Sequence, residues 1–265
     1  MRYLVINGSP HKGNTWKLAL SAMESIRKED AAAEFDVVHL MEIGLPFCRG
    51  CSVCFRLGHE KCPHNDIVGE IIRKIEQADG VIMLSSTFNM RETALLKNLL
   101  DHLCFLLHRP RFFQSKALIL TTTGGVGAKQ AAKSIAGFLK GIGFNRCYPF
   151  GVAAHSWNDY QISGKTERRL EETARRFQHD VASHRIHSPS ALVLIPYNLF
   201  RGMSLACAKG AVYETYDGVH WAEECRKNGV YDRSVPVPFY KKPLGQLFYL
   251  TGKAAGKRMV ITYRK

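Results

Sequence analysis

The sequence predicts an α/β fold, in which a doubly wound, five-stranded parallel sheet is followed by a helical C-terminal extension. Three observations support this. Apolar runs alternate with amphipathic helical segments five times within residues 1–185. The runs at 80–84 and 117–120 are continuously apolar, as in strands that are covered on both faces. After His187-Ser188-Pro189 the alternation stops, so we place a domain boundary there and expect a basic, mostly helical extension over 186–265.

The elements follow one another in strict order. Strands are predicted at 2–7, 35–40, 80–84, 117–120 and 145–152. Helices are predicted at 15–28, 67–77, 94–107, 128–141 and 165–184, the last of them dense in charge and therefore solvated. An irregular stretch at 44–66 interrupts the pattern, and helices are predicted at 217–227 and 244–257 in the extension.

The 265 residues carry a net charge of +14, and half of this excess lies in 186–265, with 12 Lys and Arg against 5 Asp and Glu. A basic balance favours solubility and weak attraction to polyanions. The sequence carries no helix-turn-helix, zinc-finger or RNA-binding signature, so we expect no nucleic-acid partner. Met1-Arg2 leads directly into a strand, and no apolar run reaches the roughly 20 residues of a membrane span. We therefore expect a cytoplasmic protein.

A loop rich in hydroxyls, amides and glycines joins the first strand to the first helix, with the sequence Asn7-Gly8-Ser9-Pro10-His11-Lys12-Gly13-Asn14-Thr15. The N–H groups and the positive dipole end of a helix N-terminus bind phosphate or another anion. Ser9, Asn14 and Thr15 add donors, and Lys12 adds a charge. The loop is neither a Walker A motif nor a dinucleotide fingerprint. The alternative is a plain turn in which Asn14 or Thr15 caps the helix.

Two further polar loops follow strands of the predicted sheet. One is 85–93, with Thr87-Phe88-Asn89-Met90, and the other is Thr121-Thr122-Thr123-Gly124-Gly125-Val126-Gly127. Ligands of doubly wound sheets bind outside the carboxyl ends of the strands. We therefore expect the three loops to converge on one ligand, with the glycines permitting close approach of the backbone.

These loops carry a family resemblance over about residues 1 to 185. Gly8 to Thr15 resembles the phosphate loop G-S-P-R-x-x-(S)-N-T of the flavodoxin-like NAD(P)H-dependent FMN reductases, with His11 near the usual Arg. Ser85 to His102 is similar to that family's S-P-x-Y-x-x-x-x-x-x-L-K-x-x-x-D-R, with Ser86 replacing Pro and Phe88 replacing Tyr. Thr121 to Gly127 matches the family's third flavin loop.

The resemblance implies a flavodoxin-like, FMN-binding domain over 1–185 that oxidises NAD(P)H and reduces a small quinone, flavin or nitroaromatic. It also implies a homo-oligomer, expected to be a dimer. Flavin chemistry needs no side-chain nucleophile, and we name no catalytic residue. The implied cofactor-binding residues are Ser9, Lys12, Asn14, Thr15, Trp16, Thr87, Phe88, Asn89, Met90, Thr122, Thr123, Gly124, Gly125 and Gly127.

Four of the eight cysteines are clustered as C-x2-C-x2-C-x7-C, at Cys48, Cys51, Cys54 and Cys62. Four such thiolates can ligate a [4Fe-4S] cluster, can bind zinc, or can remain free or redox-active. The motif resembles that of the iron–sulfur flavoproteins, which implies an electron carrier that serves a redox protein. His59 and His64 are expected at the surface. The scattered cysteines, Cys104, Cys147, Cys207 and Cys225, are expected in the core.

Two basic segments leave alternatives open. In His108-Arg109-Pro110-Arg111 the cations suit the end of a helix that the proline stops, or an arginine meets a nicotinamide phosphate or a partner subunit. The extension interleaves aromatic and basic residues, and we expect it to pack on the domain or on a partner subunit. A membrane surface is the alternative, with a non-catalytic peripheral or scaffold role. These residues are Trp221, Phe239, Tyr240, Lys241, Lys242, Phe248, Tyr249, Lys253 and Lys257.

Overall fold

The computed structural model describes residues 1–156, 159–223, 226 and 228–258. Within these residues one parallel sheet has the strand order β2-β1-β3-β4-β5. This order is that of the flavodoxin-like doubly wound folds, and it confirms the predicted fold class. The strands are β1 Arg2–Asn7, β2 Glu34–His39, β3 Gly80–Ser86, β4 Lys116–Thr123 and β5 Arg146–Ala153.

Helices alternate with these strands and then continue into the extension. In chain order they are α1 Asn14–Glu29, α2 Val53–Arg56, α3 Asn65–Gln77, α4 Ala94–His102, α5 Ala128–Gly141, α6 Gly164–Ala182, α7 Ala191–Ser204, α8 Tyr216–Ala222 and α9 Lys242–Gly256. Short 3-10 turns occupy His59–Lys61, Cys104–Leu107, Leu205–Cys207 and Phe239–Lys241.

Four elements differ from prediction. One is α7, Ala191–Ser204, where no helix was placed. The helix predicted over 94–107 ends at His102, and a tighter 3-10 turn, Cys104–Leu107, takes its place. The switch from α-helix to 3-10 turn keeps a similar spacing of apolar residues, so the hydrophobic periodicity of the sequence did not reveal it. The stretch predicted as irregular contains α2, which is too short to show periodicity. The helix predicted over 217–227 ends at Ala222, and Glu224, Cys225 and Lys227 lie outside the described residues.

Successive strand residues point to opposite sides of the sheet, and both sides are buried. Leu4 and Ile6 enter the core under α3, α4 and α5, whereas Tyr3 and Val5 enter the core under α1 and α6. Two packed layers therefore fix the carboxyl ends of the strands, and with them the loops that follow.

The extension is held together by close backbone contact between α7 and α9. A Cβ on Gly252 would clash with the carbonyl oxygen of Leu199, and one on Gly202 would clash with that of Tyr249. A separate apolar cluster joins the extension to Phe113, which precedes β4. Of the predicted aromatic residues, Trp221 is only 3% exposed, whereas Phe239 is 82% exposed. Among the described residues, no helix is both long and apolar enough to cross a membrane.

Candidate functional site

Four hydroxyl groups join the loops after β1, β3 and β4. The Ser9 Oγ accepts a hydrogen bond from the Ser86 N–H at 2.9 Å and lies 3.0 Å from the Ser86 Oγ. The Thr15 Oγ1 lies 2.6 Å from the Thr122 Oγ1. Ser86 and Thr122 are register partners at the ends of neighbouring strands, which explains why the contacts converge. The predicted meeting of three loops at the carboxyl edge is therefore present.

A cavity of about 420 Å³ opens beside these hydroxyls. Its volume is within the usual range for a cofactor pocket. Seven of the residues predicted to bind the cofactor line it: Asn14, Thr87, Phe88, Thr122, Thr123, Gly124 and Gly125. His11, Ser86 and Ser156 also line it but were not among the predicted binding residues. Ser156 follows β5 at the same edge of the sheet, and that position was the signal available to find it.

The lining has two features that suit a polar ligand. The Thr87 Oγ1 is buried and has no hydrogen-bond partner among the described residues. A buried hydroxyl in this state costs free energy that a ligand could recover. A Cβ added at Gly124 or Gly125 would meet no described atom within 4 Å. The backbone of this loop is therefore open to close approach from the cavity.

The loop after β3 ends in a two-residue turn. Phe88 and Arg91 exchange both backbone hydrogen bonds, at 3.0 and 2.9 Å, and Asn89 and Met90 adopt positive φ values of 50° and 61°. Positive φ is uncommon for methionine. Gly127, with φ of 96°, packs against Met90, and a Cβ there would lie 2.7 Å from the Met90 Cα. The turn thereby holds Phe88, which is 54% exposed, at the mouth of the cavity.

The N-terminus of α1 can be compared with the alternative of a side-chain cap. Gly13 occupies the N-cap position of α1, and no hydrogen bond from a described side chain caps it. Asn14 instead bonds across to the chain after β5, donating to the Ser156 carbonyl at 3.0 Å. Asn14 and Thr15 therefore lie within the helix and do not occupy its N-cap position, contrary to the capping in the turn-only alternative. The helix N-terminus presents backbone amides rather than a side-chain cap.

The other seven predicted residues do not line the cavity: Ser9, Lys12, Thr15, Trp16, Asn89, Met90 and Gly127. The Lys12 Nζ sits 5.8 Å from the centroid of the Trp16 ring. Trp16 in turn packs on His39, with ring centroids 5.1 Å apart. Burial and then the nearby Lys12 charge lower the pKa of His39.

The clustered cysteines meet in a second cavity, of about 320 Å³. Cys48, Cys51, Cys54 and Cys62 all line it, and so does Cys104 from the turn after α4. The expectation that Cys104 is a core residue is therefore wrong, since it is only partly buried and faces the cluster. Cys147 and Cys207 are buried as expected, and Cys225 lies outside the described residues.

The thiols in this cavity affect one another. Burial, followed by the nearby Cys104 and Cys62, raises the pKa of Cys54 to about 12. Burial and then Cys48 raise the pKa of Cys104 to about 11. Within the described part of the chain, no three His, Cys, Asp or Glu side chains converge on a common metal position. The four motif thiols thus share one cavity, without forming a metal site among the described residues.

Asn98 of α4 positions the start of the cysteine loop. Its side chain accepts from the Cys48 N–H at 3.0 Å and donates to the carbonyls of Leu45 and Pro46. The backbone carbonyl of Asn98 accepts a hydrogen bond from the His102 Nδ1 at 2.9 Å. The His102 Nε2 then lies 2.9 Å from the His64 Nδ1. These contacts attach the cysteine loop to α4.

The histidines of the cysteine loop are not the surface residues we expected. His64 is partly buried against His102. His59 stacks on Phe105, with ring centroids 4.9 Å apart. The reason is that the loop folds back over α4 and its 3-10 turn, a tertiary contact that has no local sequence signal.

Arg109 fastens the other side of the loop. Its guanidinium donates to the Cys54 carbonyl at 2.8 Å and forms an ion pair with Asp217 of α8. It also stacks on Tyr216, 4.7 Å from the ring centroid. These bonds tie the cysteine loop to the extension. The expectation that Arg109 sits at the end of a helix stopped by Pro110 is wrong, because α4 already ends at His102.

Comparison with known proteins places these features in context. The sequence profile described as NADPH-dependent FMN reductase matches residues 1–154. An iron–sulfur flavoprotein of Methanocaldococcus jannaschii is 38% identical over 102 residues, which are 38% of this chain and 51% of that protein. One from Archaeoglobus fulgidus is 32% identical over 101 residues, 38% of this chain and 48% of that protein. The chain spans about half the length of these curated relatives.

Solved structures resemble this chain in fold. The flavoenzyme NAD(P)H:(acceptor) oxidoreductase of Paracoccus denitrificans has a TM-score of 0.51 at 19% identity, covering 69% of this chain and 98% of its own. A flavone reductase has a TM-score of 0.51 at 15% identity, covering 69% of this chain and 63% of its own. At these identities the likeness concerns the fold alone.

Proposed function

This chain belongs to the NADPH-dependent FMN reductase family, and we propose that it is an FMN-dependent oxidoreductase. It would take a hydride from NADH or NADPH and reduce a small electron acceptor of the quinone, flavin or nitroaromatic type. The observation that supports this best is the cavity beside β3 and β4, which is lined by Thr87, whose buried hydroxyl has no partner among the described residues, and by the open backbone of Gly124 and Gly125.

The residues present fit FMN. When bound, FMN supplies a ring system that accepts a hydride and passes electrons on singly or in pairs. The amides at the start of α1, with the hydroxyls of Ser9 and Thr15, would hold the phosphate. Phe88 at the cavity mouth would cover one face of the ring. The backbone of Gly124 and Gly125 would donate hydrogen bonds near its polar end, where preorganised donors stabilise negative charge.

The test is direct. We would purify the protein without oxygen, load it with FMN and add NADPH. We expect one FMN per chain and rapid bleaching of the flavin absorbance, followed by its return when a quinone is added. Protein that takes up no FMN would refute the proposal. FMN that is bound but bleached by neither NADPH nor NADH would refute the reductase activity alone.

A second candidate is an iron–sulfur flavoprotein that exchanges single electrons with a redox protein. The observation that favours it is the convergence of the four motif cysteines on one cavity. We expect anaerobically prepared protein to contain iron and sulfide, and to lose both when Cys48 and Cys51 are changed to Ser. Cys207→Ala, a buried cysteine elsewhere, is the control. Iron-free protein from an iron-replete, anaerobic preparation would exclude this candidate.

A further inference from the structure

A third cavity, of about 440 Å³, lies where the extension meets the chain after α4. Phe105 and Arg109 line it from the domain, and Tyr216 and His220 line it from α8. Among the described residues it shares no lining residue with the cavity beside β3 and β4. Nothing in the proposed flavin chemistry uses it, so it needs its own explanation.

The charged lining of this cavity comprises three arginines, Arg109, Arg111 and Arg226, and two acids, Glu60 and Asp232. Burial and then Arg226, Arg109 and Arg111 lower the pKa of His220 to about 3. Arg111 and Arg226 have partners, Glu76 and Glu223, but their side chains remain 37% and 36% exposed. Guanidinium groups so placed keep donors for a further anion.

The acids that also line the cavity are engaged elsewhere. Glu60 pairs with His59 at 3.1 Å. Asp232 accepts two hydrogen bonds from Ser234, from its N–H at 2.9 Å and its hydroxyl at 2.6 Å. Neither carboxylate pairs with one of the three arginines among the described contacts.

Aromatic rings form the remaining wall. The Arg109 guanidinium lies 5.2 Å from the Phe105 centroid and 4.7 Å from the Tyr216 centroid. Tyr216 is 41% exposed, so part of its side chain is open to solvent. A planar ligand could stack there, since arginine and tyrosine faces both accept flat π-systems.

We propose that this cavity binds a small planar anion, an aromatic ring that carries a phosphate or carboxylate group. Arg111 and Arg226 hold the charged group, and the ring packs beside Tyr216. The volume is in the range of small-ligand sites. The site is separate from the flavin cavity and does not depend on the function proposed for it.

The experiment is calorimetric titration of the FMN-saturated protein with four probes. AMP and salicylate each combine a ring with an anion, while adenosine and inorganic phosphate carry only one of the two. We expect AMP or salicylate to bind at least about tenfold more tightly than adenosine or phosphate. The AMP and salicylate arms distinguish a nucleotide site from an aromatic-acid site. If neither AMP nor salicylate binds, the proposal is overturned. If phosphate binds as tightly as AMP, the claim that the site recognises an aromatic ring is overturned.

Variants locate the site. Arg111→Ala should weaken binding of the better probe by about tenfold, and Arg111→Lys should restore part of it. Arg175→Ala, an exposed arginine of α6, is the control and should bind as the unchanged protein does. Equal affinity in Arg111→Ala and the control overturns the assignment. An unchanged midpoint of urea unfolding in each variant shows that it has folded.

Discussion

Arg109 and Asp217 form a buried ion pair between the chain after α4 and helix α8, with 5% and 8% of their side chains exposed. Removing one partner of such a pair leaves a charge buried without compensation. We expect Asp217→Asn to lower the free energy of unfolding by about 3 to 5 kcal/mol in urea titrations. The matched control is Asp36→Asn, which breaks an exposed pair with Lys74 and should cost less than about 1 kcal/mol. Similar losses in both variants would contradict this account.

The phosphate loop can be tested by comparing two ligands. We expect Ser9→Ala combined with Thr15→Ala to weaken FMN by about tenfold or more, because charge-assisted hydrogen bonds are lost. Riboflavin, which lacks the phosphate, should lose far less affinity. Flavin fluorescence quenching measures both ligands. Ser25→Ala, a buried hydroxyl of α1 outside the site, is the control. Equal losses for FMN and riboflavin would show that these hydroxyls hold no phosphate.

Gly127 and Gly124 should respond differently to alanine. At Gly127 the φ of 96° and the nearby Met90 backbone oppose any side chain, so Gly127→Ala should destabilise the protein by about 1 to 3 kcal/mol. At Gly124 a Cβ meets no described atom, so Gly124→Ala should change stability by less than about 0.5 kcal/mol. It should still weaken FMN, because its methyl group would enter the cavity. Urea titration and flavin fluorescence separate the two effects.

The seam between α7 and α9 should reject even one methyl group. In Gly252→Ala the new Cβ would overlap the Leu199 carbonyl oxygen, and overpacking of this kind costs about 1 to 3 kcal/mol. Gly137→Ala in α5 is the matched control, since its Cβ would meet no described atom within 4 Å. There alanine should stabilise the helix by up to about 1 kcal/mol. Thermal unfolding of both variants should therefore shift in opposite directions.

His220 should make stability depend on pH. Burial and then three arginines lower its pKa from 6.5 to about 3 in the folded chain. The unfolded state therefore binds more protons between these values, and the free energy of unfolding falls as the pH drops below 6.5. The contribution is about 1 to 2 kcal/mol between about pH 7 and pH 5. His220→Asn should lose this part of the slope. His184→Asn, an exposed control, should retain it.

The alternating core of the fold was predictable because each strand signal is local. The apolar run 80–84 and the amphipathic segment 128–141 carry their own periodicity, and β3 and α5 were found where those patterns lie. The three ligand loops could be placed as well, because parallel strands bring their carboxyl ends to one edge.

Contacts between distant segments were not predictable. Cys104 joins the cysteine cavity only because the loop over 48–62 folds back on the turn after α4. Asn98, which attaches that loop at its start, looks like one polar residue within an apolar helix. Gly202 of α7 and Gly252 of α9 are poor helix formers when judged from the sequence. In the structure they allow the two helix backbones to make close contact.

The hydroxyl contacts among Ser9, Thr15, Ser86 and Thr122 have a consequence for ligand exchange. These bonds are formed within the protein. The conformational entropy of the three loops is therefore lost when the protein folds and not when a ligand binds. Under the proposed function, we expect a phosphate to be received at this edge by rotations of hydroxyl groups, which occur on the picosecond-to-nanosecond scale of side-chain motion. We therefore expect association to be limited by diffusion and desolvation rather than by loop closure.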